Sequence, residues 1–436
     1  MKILVTGSNG RIGANLVRRL LGQGHEIRGF VFPGDASRAH KLDGFANVEL
    51  VEGDLRDYDA VQRAVRGVDA VYHIAAAFAS PHDNIEYLQI NGLGTIHVLE
   101  AIRAHAPDLH RLVYACTEAV YWRTQDDGRL FERPIREDEV SDSKLMPYFL
   151  TKWIGEELCM NYHHQYGVPT VVCRFTTVLE PSELLDEDGI PQHWSLGRTR
   201  ERLRALPDPS PAEREALRQL DTAWDAGKRL LISRCPDGRT FKQEWADVRD
   251  IAKGLALALD ADAAVGEAFT VGGLLTVWEE LVPALAERLG ASYADVRMPS
   301  PNYFEFDHTK VRELLGYTPD HDFWSTLDAA LAIRAGRETD VVPTGLRYGG
   351  AYHVTREERA GRDARCPAPL GRGSSFAACS ARRRYRGPVR PGGSMAMTVS
   401  PRQDTRYSSP STEVDSSRSA RGKPIVTFAP GRKPST

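Results

Sequence analysis

The stretch from Lys2 to Gly13 limits most sharply what this chain can fold into. Lys2-Ile-Leu-Val-Thr6 is a short β-branched apolar run that leads directly into Gly7-Ser-Asn-Gly10-Arg-Ile-Gly13. From there Ile12, Leu16, Val17, Leu20 and Leu21 recur at helical spacing until Gly22 and Gly24 end the pattern. The segment reads as strand, glycine turn, helix. In such a turn Gly7 and Gly10 let the backbone approach a pyrophosphate, Gly13 lets helix and strand pack closely, and the helix N-terminus faces the phosphate charge. A glycine trio alone is weak evidence, but placed straight after a strand it points to a Rossmann-type, doubly wound parallel α/β sheet.

Strand patterns recur downstream at Val48–Leu55, Val68–Ala77, Leu112–Tyr121, Val168–Phe175 and Glu267–Gly273. Helical stretches lie between them, among them Glu86 to His105. Tyr148-Phe-Leu-Thr-Lys152 sets a phenol and an amine on one face of another helix. A tyrosine ionises near ~10, so acting as a base near neutrality requires a depressed pKa, and a neighbouring ammonium favours that. Tyrosine and lysine meet at this spacing by chance in many helices, so the pair gains meaning from the glycine turn.

The G-x-x-G-x-x-G spacing with Tyr148 and Lys152 downstream resembles the short-chain dehydrogenase/reductase superfamily. Length, the C-terminal half and the closing segment Phe306–Pro319 resemble its extended branch, the NAD-dependent epimerase/dehydratase family. The resemblance spans residues 1 to about 335. It implies NAD or NADP, leaning to NAD, held by Gly7, Asn9, Gly10, Arg11, Ile12 and Gly13, with Asp54 and Leu55 at the adenine. Asp54 reads equally well as a helix N-cap. Ala75 and Ala76 end a strand on small residues, as a surface pressed by a cofactor requires, and Asn91 would link the lysine to solvent. Thr117 would orient the reacting oxygen, Tyr148 would exchange its proton, and Lys152 would lower the phenol's pKa and hold the nicotinamide ribose. Val31 and Phe32 stand where an acid would select NAD or an arginine NADP, and Asp35 and Arg38 lie just beyond.

Departures from the family pattern bear on the substrate. Dehydratases add a glutamate two positions after the threonine, where this chain has Ala119; Glu118 is offset by one, which on a strand faces the other way. That argues against dehydration. Thr176 and Thr177 replace an expected asparagine, and Gln243 occupies the place of an arginine that grips a diphosphate, with Arg239 or Lys242 as substitutes. Glu118, Thr176, Thr177 and Gln243 are the candidate substrate contacts. The leading expectation is a sugar or nucleotide-sugar epimerase using Tyr148 as acid/base. The alternatives are an NAD(P)H-dependent reductase or dehydrogenase of a small carbonyl or hydroxyl compound, and a non-catalytic dinucleotide sensor.

The domain reading places a Rossmann core at 1–180, completed by 229–275, and a smaller substrate lobe at 181–228 and 276–336. Within that lobe Ser210-Pro-Ala-Glu213 reads as a capping box. Of 56 basic and 59 acidic residues, 19 and 8 fall between 337 and 436, so an acidic body carries a basic tail. The tail is poor in aliphatics and reads as disordered. An acidic body gives no basic groove for nucleic acid. The six cysteines form no C-x-x-C pair, which suits a reducing compartment. No apolar run reaches membrane-spanning length, so the expectation is a cytoplasmic protein with a small-molecule substrate and, by resemblance, a homodimer. No metal site is expected: His163-His164 point different ways on a helix, and His73 reads as a packing residue.

Overall fold

The computed structural model describes residues 1–33, 41–78, 83–122, 129–142, 146–185 and 194–343. Asp35, Arg38, Cys366, Cys379 and the chain from 344 onward lie outside the described residues. The strands are β1 (Lys2–Thr6), β2 (Glu26–Val31), β3 (Val48–Glu52), β4 (Ala70–His73), β5 (Arg111–Thr117), β6 (Thr170–Phe175), β7 (Thr177–Leu179), β8 (Leu230–Arg234), β9 (Lys242–Asp247), β10 (Glu267–Val271), β11 (Leu274–Val277) and β12 (Tyr293–Arg297). The helices are α1 (Arg11–Gly22), α2 (Tyr58–Val65), α3 (Asn84–Tyr87), α4 (Gly94–His105), α5 (Pro147–Tyr166), α6 (Pro181–Leu184), α7 (Leu196–Arg204), α8 (Pro211–Asp225), α9 (Val248–Asp260), α10 (Trp278–Leu289), α11 (Thr309–Leu315) and α12 (Phe323–Arg334).

Seven strands pair in the order β10-β6-β5-β4-β1-β2-β3, every neighbour parallel. The order reverses direction at β1, the doubly wound arrangement in which ligands lie beyond the C-terminal strand ends. Alternation along β1 shows how the layers form. Ile3 and Val5 enter a core with Leu16, Val17 and Leu20 of α1 and Ile251, Leu255 and Leu259 of α9. Leu4 points to the opposite face, into a core with Val61 of α2, Val98 and Leu99 of α4, and Cys159 of α5. A third core holds Leu196 and Leu203 of α7, Ala216 and Leu220 of α8, and the rings of Trp194, Trp245 and Trp278. Two small sheets, β11-β9-β7 and β12-β8, lie outside the seven-stranded sheet. Ser210 and Glu213 form both bonds of the capping box at the start of α8.

Two local readings change. The stretch from Glu86 to His105 is not one regular helix: α3 passes through a π-helical turn, Leu88–Leu93, into α4. The cause is Asn91. Its carboxamide accepts from Ala77 N at 2.7 Å and donates to Ala77 O at 3.1 Å and to Thr151 Oγ1 at 3.0 Å, and the wide turn aims it there. Asp54 is not a helix cap, because α2 begins at Tyr58 and Asp57 caps it by accepting from Ala60 N. The Asp54 carboxylate instead takes the backbone N–H and guanidinium of Arg56.

Past α12 the chain returns to the sheet. Val341 and Val342 are buried, Asn15 exchanges two hydrogen bonds with the Val342 backbone, and Arg249 pairs with Asp340 at 2.8 Å. Residues 337–343 thus pack with the body. A chain ended before Arg337 is expected to be less stable than one ended after Pro343 by on the order of 3 kcal/mol. Urea unfolding of the two truncations checks this, and equal stabilities refute it.

Candidate active site

The glycine turn has the shape that its sequence implies. Gly7 adopts φ 69°, in the left-handed region, and a Cβ there would come 3.0 Å from Ala75 Cα. At Gly13 an added Cβ would fall against the Gly7 carbonyl. Gly10 caps α1 with no side chain on the free backbone donors, and the first turn holds no acid. Ser8 Oγ is buried with no hydrogen-bond partner. Backbone donors free of competing carboxylates, beside an unpartnered hydroxyl, fit the pyrophosphate of a dinucleotide. Ile74 and Ala75 N–H groups both donate to Thr6 Oγ1, which fixes the β4 end against the turn. His73 bridges the hydroxyls of Thr6 and Thr95, and burial lowers it to about 3, so it stays neutral. Arg11 donates to Val178 O and pairs with buried Glu183 at 3.2 Å, tying the turn to β7 and α6.

Pro147 starts α5, which puts Tyr148 in its first turn and Lys152 one turn on. Tyr148 is half-buried, with the Phe78 ring 4.7 Å and the Phe149 ring 5.9 Å away. Burial pushes its phenol above the ordinary value; Arg11, not Lys152, is the cation that acts to lower it. The Lys152 stem runs inward, and its ammonium lies 4.2 Å over the Tyr114 ring with no hydrogen bond among the described residues. Burial pulls Lys152 down to about 8. Tyr114 Oη and Cys116 Sγ both donate to Lys152 O, and a Cβ at Gly155 would fall on the Tyr114 hydroxyl, so α5 is held tightly over β5. β5 ends at Thr117 and does not run on to Tyr121, because Glu118–Tyr121 turns as a 3-10 helix, so the strand argument for the facing of Glu118 does not apply; Thr117 Oγ1 accepts from Ala119 N at 3.3 Å and donates to no other group among the described residues. The Asn91 side chain is spent on Ala77 and Thr151.

The candidate substrate residues meet. Asn302 donates to Gln243 at 2.8 Å, Gln243 to Thr177 at 3.1 Å, and Thr177 to Glu118 Oε1 at 2.6 Å. This chain joins Glu118, Thr177 and Gln243 directly and ends at Asn302, a residue that carried no signal in the sequence. Glu118 Oε2 is buried without a partner, and burial raises the carboxyl to about 8. Thr176 Oγ1 is likewise buried and unpartnered; a Cβ added at Gly272 would meet the side chains of Thr176, Glu244 and His308 together. His308 Nε2 meets Glu244 Oε2 at 2.7 Å, a second pairing the sequence reading missed. The two substitutes for Gln243 are engaged elsewhere: Arg239 with Glu132 and Asp237, Lys242 with Glu305.

A native Glu118 that holds its proton to about pH 8, against 4.5 unfolded, contributes stability fully below 4.5 and loses it as pH rises through 8. Glu118→Gln should flatten that decline by on the order of a few kcal/mol. Thermal unfolding of both proteins at several pH values in this window checks it; parallel curves would sink the assignment.

Among the described residues no group of three or more His, Cys, Asp or Glu side chains is arranged to hold a metal, and no helix is long and apolar enough to cross a membrane. The sequence pattern of the NAD dependent epimerase/dehydratase family matches residues 3–199. An uncharacterised UDP-glucose epimerase of Bacillus subtilis (strain 168) is 28% identical over 336 residues, covering 73% of this chain and 93% of that protein. A dTDP-glucose 4,6-dehydratase of Streptomyces niveus is 26% identical, over 73% of this chain and 88% of its own length. A short-chain dehydrogenase/reductase superfamily protein from Agrobacterium tumefaciens, solved with NAD bound, superposes with a TM-score of 0.64 at 29% identity, covering 77% of this chain and 100% of that one. With the glycine cradle, the Tyr148–Lys152 helix and the reversal of strand order at β1 all in place, residues 3–199 carry the pattern of the NAD-dependent epimerase/dehydratase family, and the chain is an enzyme similar to the extended short-chain dehydrogenases/reductases.

Proposed function

We propose that this enzyme is an NAD(P)-dependent epimerase acting at a hydroxyl-bearing carbon of a sugar or nucleotide sugar. The observation that carries the reading is the docking of α5 on the end of β5: Tyr148 packs on the cluster of Ala119, Trp122 and Phe149, and Lys152 O accepts from Tyr114 and from Cys116, the residue before Thr117. Gly7, Asn9, Gly10, Arg11, Ile12 and Gly13 would hold the dinucleotide phosphates, Asp54 and Leu55 the adenine end, and Ala75, Ala76 and Lys152 the nicotinamide half, while Asn91 serves by fixing Ala77 and Thr151 behind them. When bound, the cofactor takes a hydride from carbon and returns it. Tyr148 exchanges the hydroxyl proton, and Thr117 donates its free proton to the reacting oxygen. Lys152, poised near 8, supplies positive charge beside them through the neutral range. Ala119 places no carboxylate at the position that dehydratases fill, so no second base is on hand there to remove a proton from carbon.

NAD is favoured by the relative solved with it, and the β2 end, Val31 and Phe32, offers no arginine for a 2′-phosphate. A cytoplasmic, reducing setting suits Cys116, Cys159, Cys173 and Cys235, all free thiols. A homodimer is favoured by Ile85, Leu88, Leu93, Met146 and Leu150, exposed apolar residues grouped on α3, the π turn and α5.

A second reading, a reductase of a small carbonyl compound, draws on one observation: Gln243, Arg239 and Lys242 all spend their polar groups internally. Denaturing the purified protein and weighing the nucleotide it releases separates the two. Stoichiometric NAD means a cofactor retained and recycled, as an epimerase needs. A protein that is purified empty, then turns over added NADH or NADPH, overturns the epimerase in favour of the reductase.

A further inference from the structure

His73 closes β4, where the sequence suggests a packing residue, yet both of its ring nitrogens are engaged. Thr6, Asn91, Thr95 and Thr151 are buried with it, so each of their bonds is made in the interior, where losing one costs most. The direction of each bond is fixed by what its neighbours have already used. Thr6 Oγ1 accepts from the backbone N–H groups of Ile74 at 3.0 Å and Ala75 at 3.1 Å, which takes both lone pairs and leaves the hydroxyl to donate. The nearer acceptor is His73 Nδ1 at 3.0 Å, against 3.5 Å for Tyr72 O. Nδ1 therefore carries no proton. On the other side Thr95 Oγ1 gives its proton to Asn91 O at 2.6 Å, so it accepts from His73 Nε2 at 3.0 Å. His73 is thus the neutral Nε2–H tautomer, and the ammonium of Lys152 adds to burial in keeping it neutral.

Followed outward, the same logic makes one directed path. Asn91 Nδ2 donates to Thr151 Oγ1 at 3.0 Å, and Thr151 gives its own proton to Tyr148 O at 3.1 Å. The path starts at the N–H of Ala75, which lies against Gly7 of the glycine turn, and it finishes on the carbonyl of Tyr148 in the first turn of α5. His73 is where it passes from the strand ends to the helical segment. The imidazole is rigid, so the separation of Nδ1 from Nε2 sets the separation of Thr6 from Thr95. A second ring proton would put a donor on Nδ1 against a hydroxyl with no lone pair to spare, so the ring fits this place only in its neutral form.

We propose that His73, as its Nε2–H tautomer, is a positioning residue: a rigid spacer that holds Ile74 and Ala75, just past β4, in register with the start of α5 and so with Tyr148. This rests on the reading of Tyr148 as the acid/base and of Ala75 as part of the seat for the nicotinamide half of the cofactor. In that reading a hydride leaves the substrate carbon toward the cofactor while a proton leaves its oxygen toward the phenol. Both acceptors must then meet one substrate at a fixed separation, and a misplacement of about 1 Å can cost about a hundredfold in rate. His73 touches neither cofactor nor substrate; it acts through Thr6 on one side and through Thr95 and Asn91 on the other.

The test separates the two ends of the ring. Asparagine places its carboxamide where Nδ1 lies and glutamine places it where Nε2 lies, so His73→Asn keeps a partner for Thr6 and His73→Gln keeps one for Thr95. Residue-resolved amide hydrogen exchange on the full chain with NAD bound reads both sides. The N–H groups of Ile74 and Ala75 report the Thr6 side, and that of Ala77, held by Asn91 Oδ1 at 2.7 Å, reports the other. His73→Asn should speed exchange at Ala77 by about tenfold and leave Ile74 and Ala75 near wild type, and His73→Gln should do the reverse. Equal acceleration of all three amides in both variants is what a packing residue gives, and it overturns the proposal, as does no change in either variant. Nitrogen NMR of the histidine rings at neutral pH needs no change at His73: Thr95→Ser, which keeps the hydroxyl, marks the His73 signals by shifting them. They should show Nε2 protonated and Nδ1 bare; the Nδ1–H tautomer or the cation overturns the proposal even if neither His73 variant folds. Neither readout needs turnover, so both hold or fail independently of the epimerase reading, which the released nucleotide and Tyr148 test.

Discussion

Tyr148→Phe is expected to lower turnover by between about a hundredfold and ten-thousandfold while the nucleotide content of the purified protein stays at the wild-type level. The substitution removes one oxygen and little else. The ring keeps its contacts with Phe78 and Phe149, and its backbone carbonyl still accepts from Thr151 Oγ1 at 3.1 Å, so the first turn of α5 is unaltered. Turnover and released nucleotide measured on the same preparation check both halves. Wild-type turnover would remove Tyr148 from the chemistry; loss of nucleotide along with activity would mean that the hydroxyl serves binding.

Glu156→Ala is expected to cost about 3–5 kcal/mol of stability, the largest structural effect of any single change considered, because it strands a buried charge. Arg174 and Glu156 are almost fully enclosed, 5% and 3% exposed at their side chains, and meet at 2.5 Å. The same guanidinium also donates to Tyr121 Oη at 2.8 Å and to Glu137 O at 2.7 Å. One ion pair thus ties α5, β6, the turn after β5 and the segment before α5 into the frame that holds Tyr148. If the cost comes from an unpaired cation, the double variant Glu156→Met, Arg174→Met should recover much of it, since apolar replacement of a whole buried pair is often neutral. Urea unfolding of the single and double variants decides. A single variant within about 1 kcal/mol of wild type would show the site to be wet enough to hydrate the stranded charge.

Much of the fold could be read before the structure, because its signals are local. The glycine turn, the apolar run of β1 and the capping box at Ser210 each fit within a few residues, and each forms where the pattern puts it. Patterns decided by distant partners were not legible. Nothing in residues 86–105 announces the π turn, since its cause is Asn91 meeting Ala77 and Thr151 from other elements. Asp54 reads as a cap in sequence, but its carboxylate is taken by Arg56 and the cap is Asp57. The pairing of Tyr148 with Lys152 was legible as spacing, yet the direction of the lysine stem, toward Tyr114, was not. The valines at 341 and 342 sit in a run that composition assigns to the tail, and their burial depends on Asn15 at the far end of the chain.

The π turn also sets a rule for chain length. An α-helical residue advances the helix by about 100° of rotation, so deleting one residue between Leu88 and Leu93 would not merely shorten the segment. It would spin α3 and α4 relative to each other by that angle. Asn91 could keep its clasp on Ala77 and Thr151, or Thr95 could keep His73 and Leu99 its core position, but both sets could not be kept together. The number of residues from Asp83 to His105 is therefore as strict a requirement as their identity. A relative one residue shorter here must have given up one of the two clasps, and insertions and deletions in this segment are informative where substitutions are not.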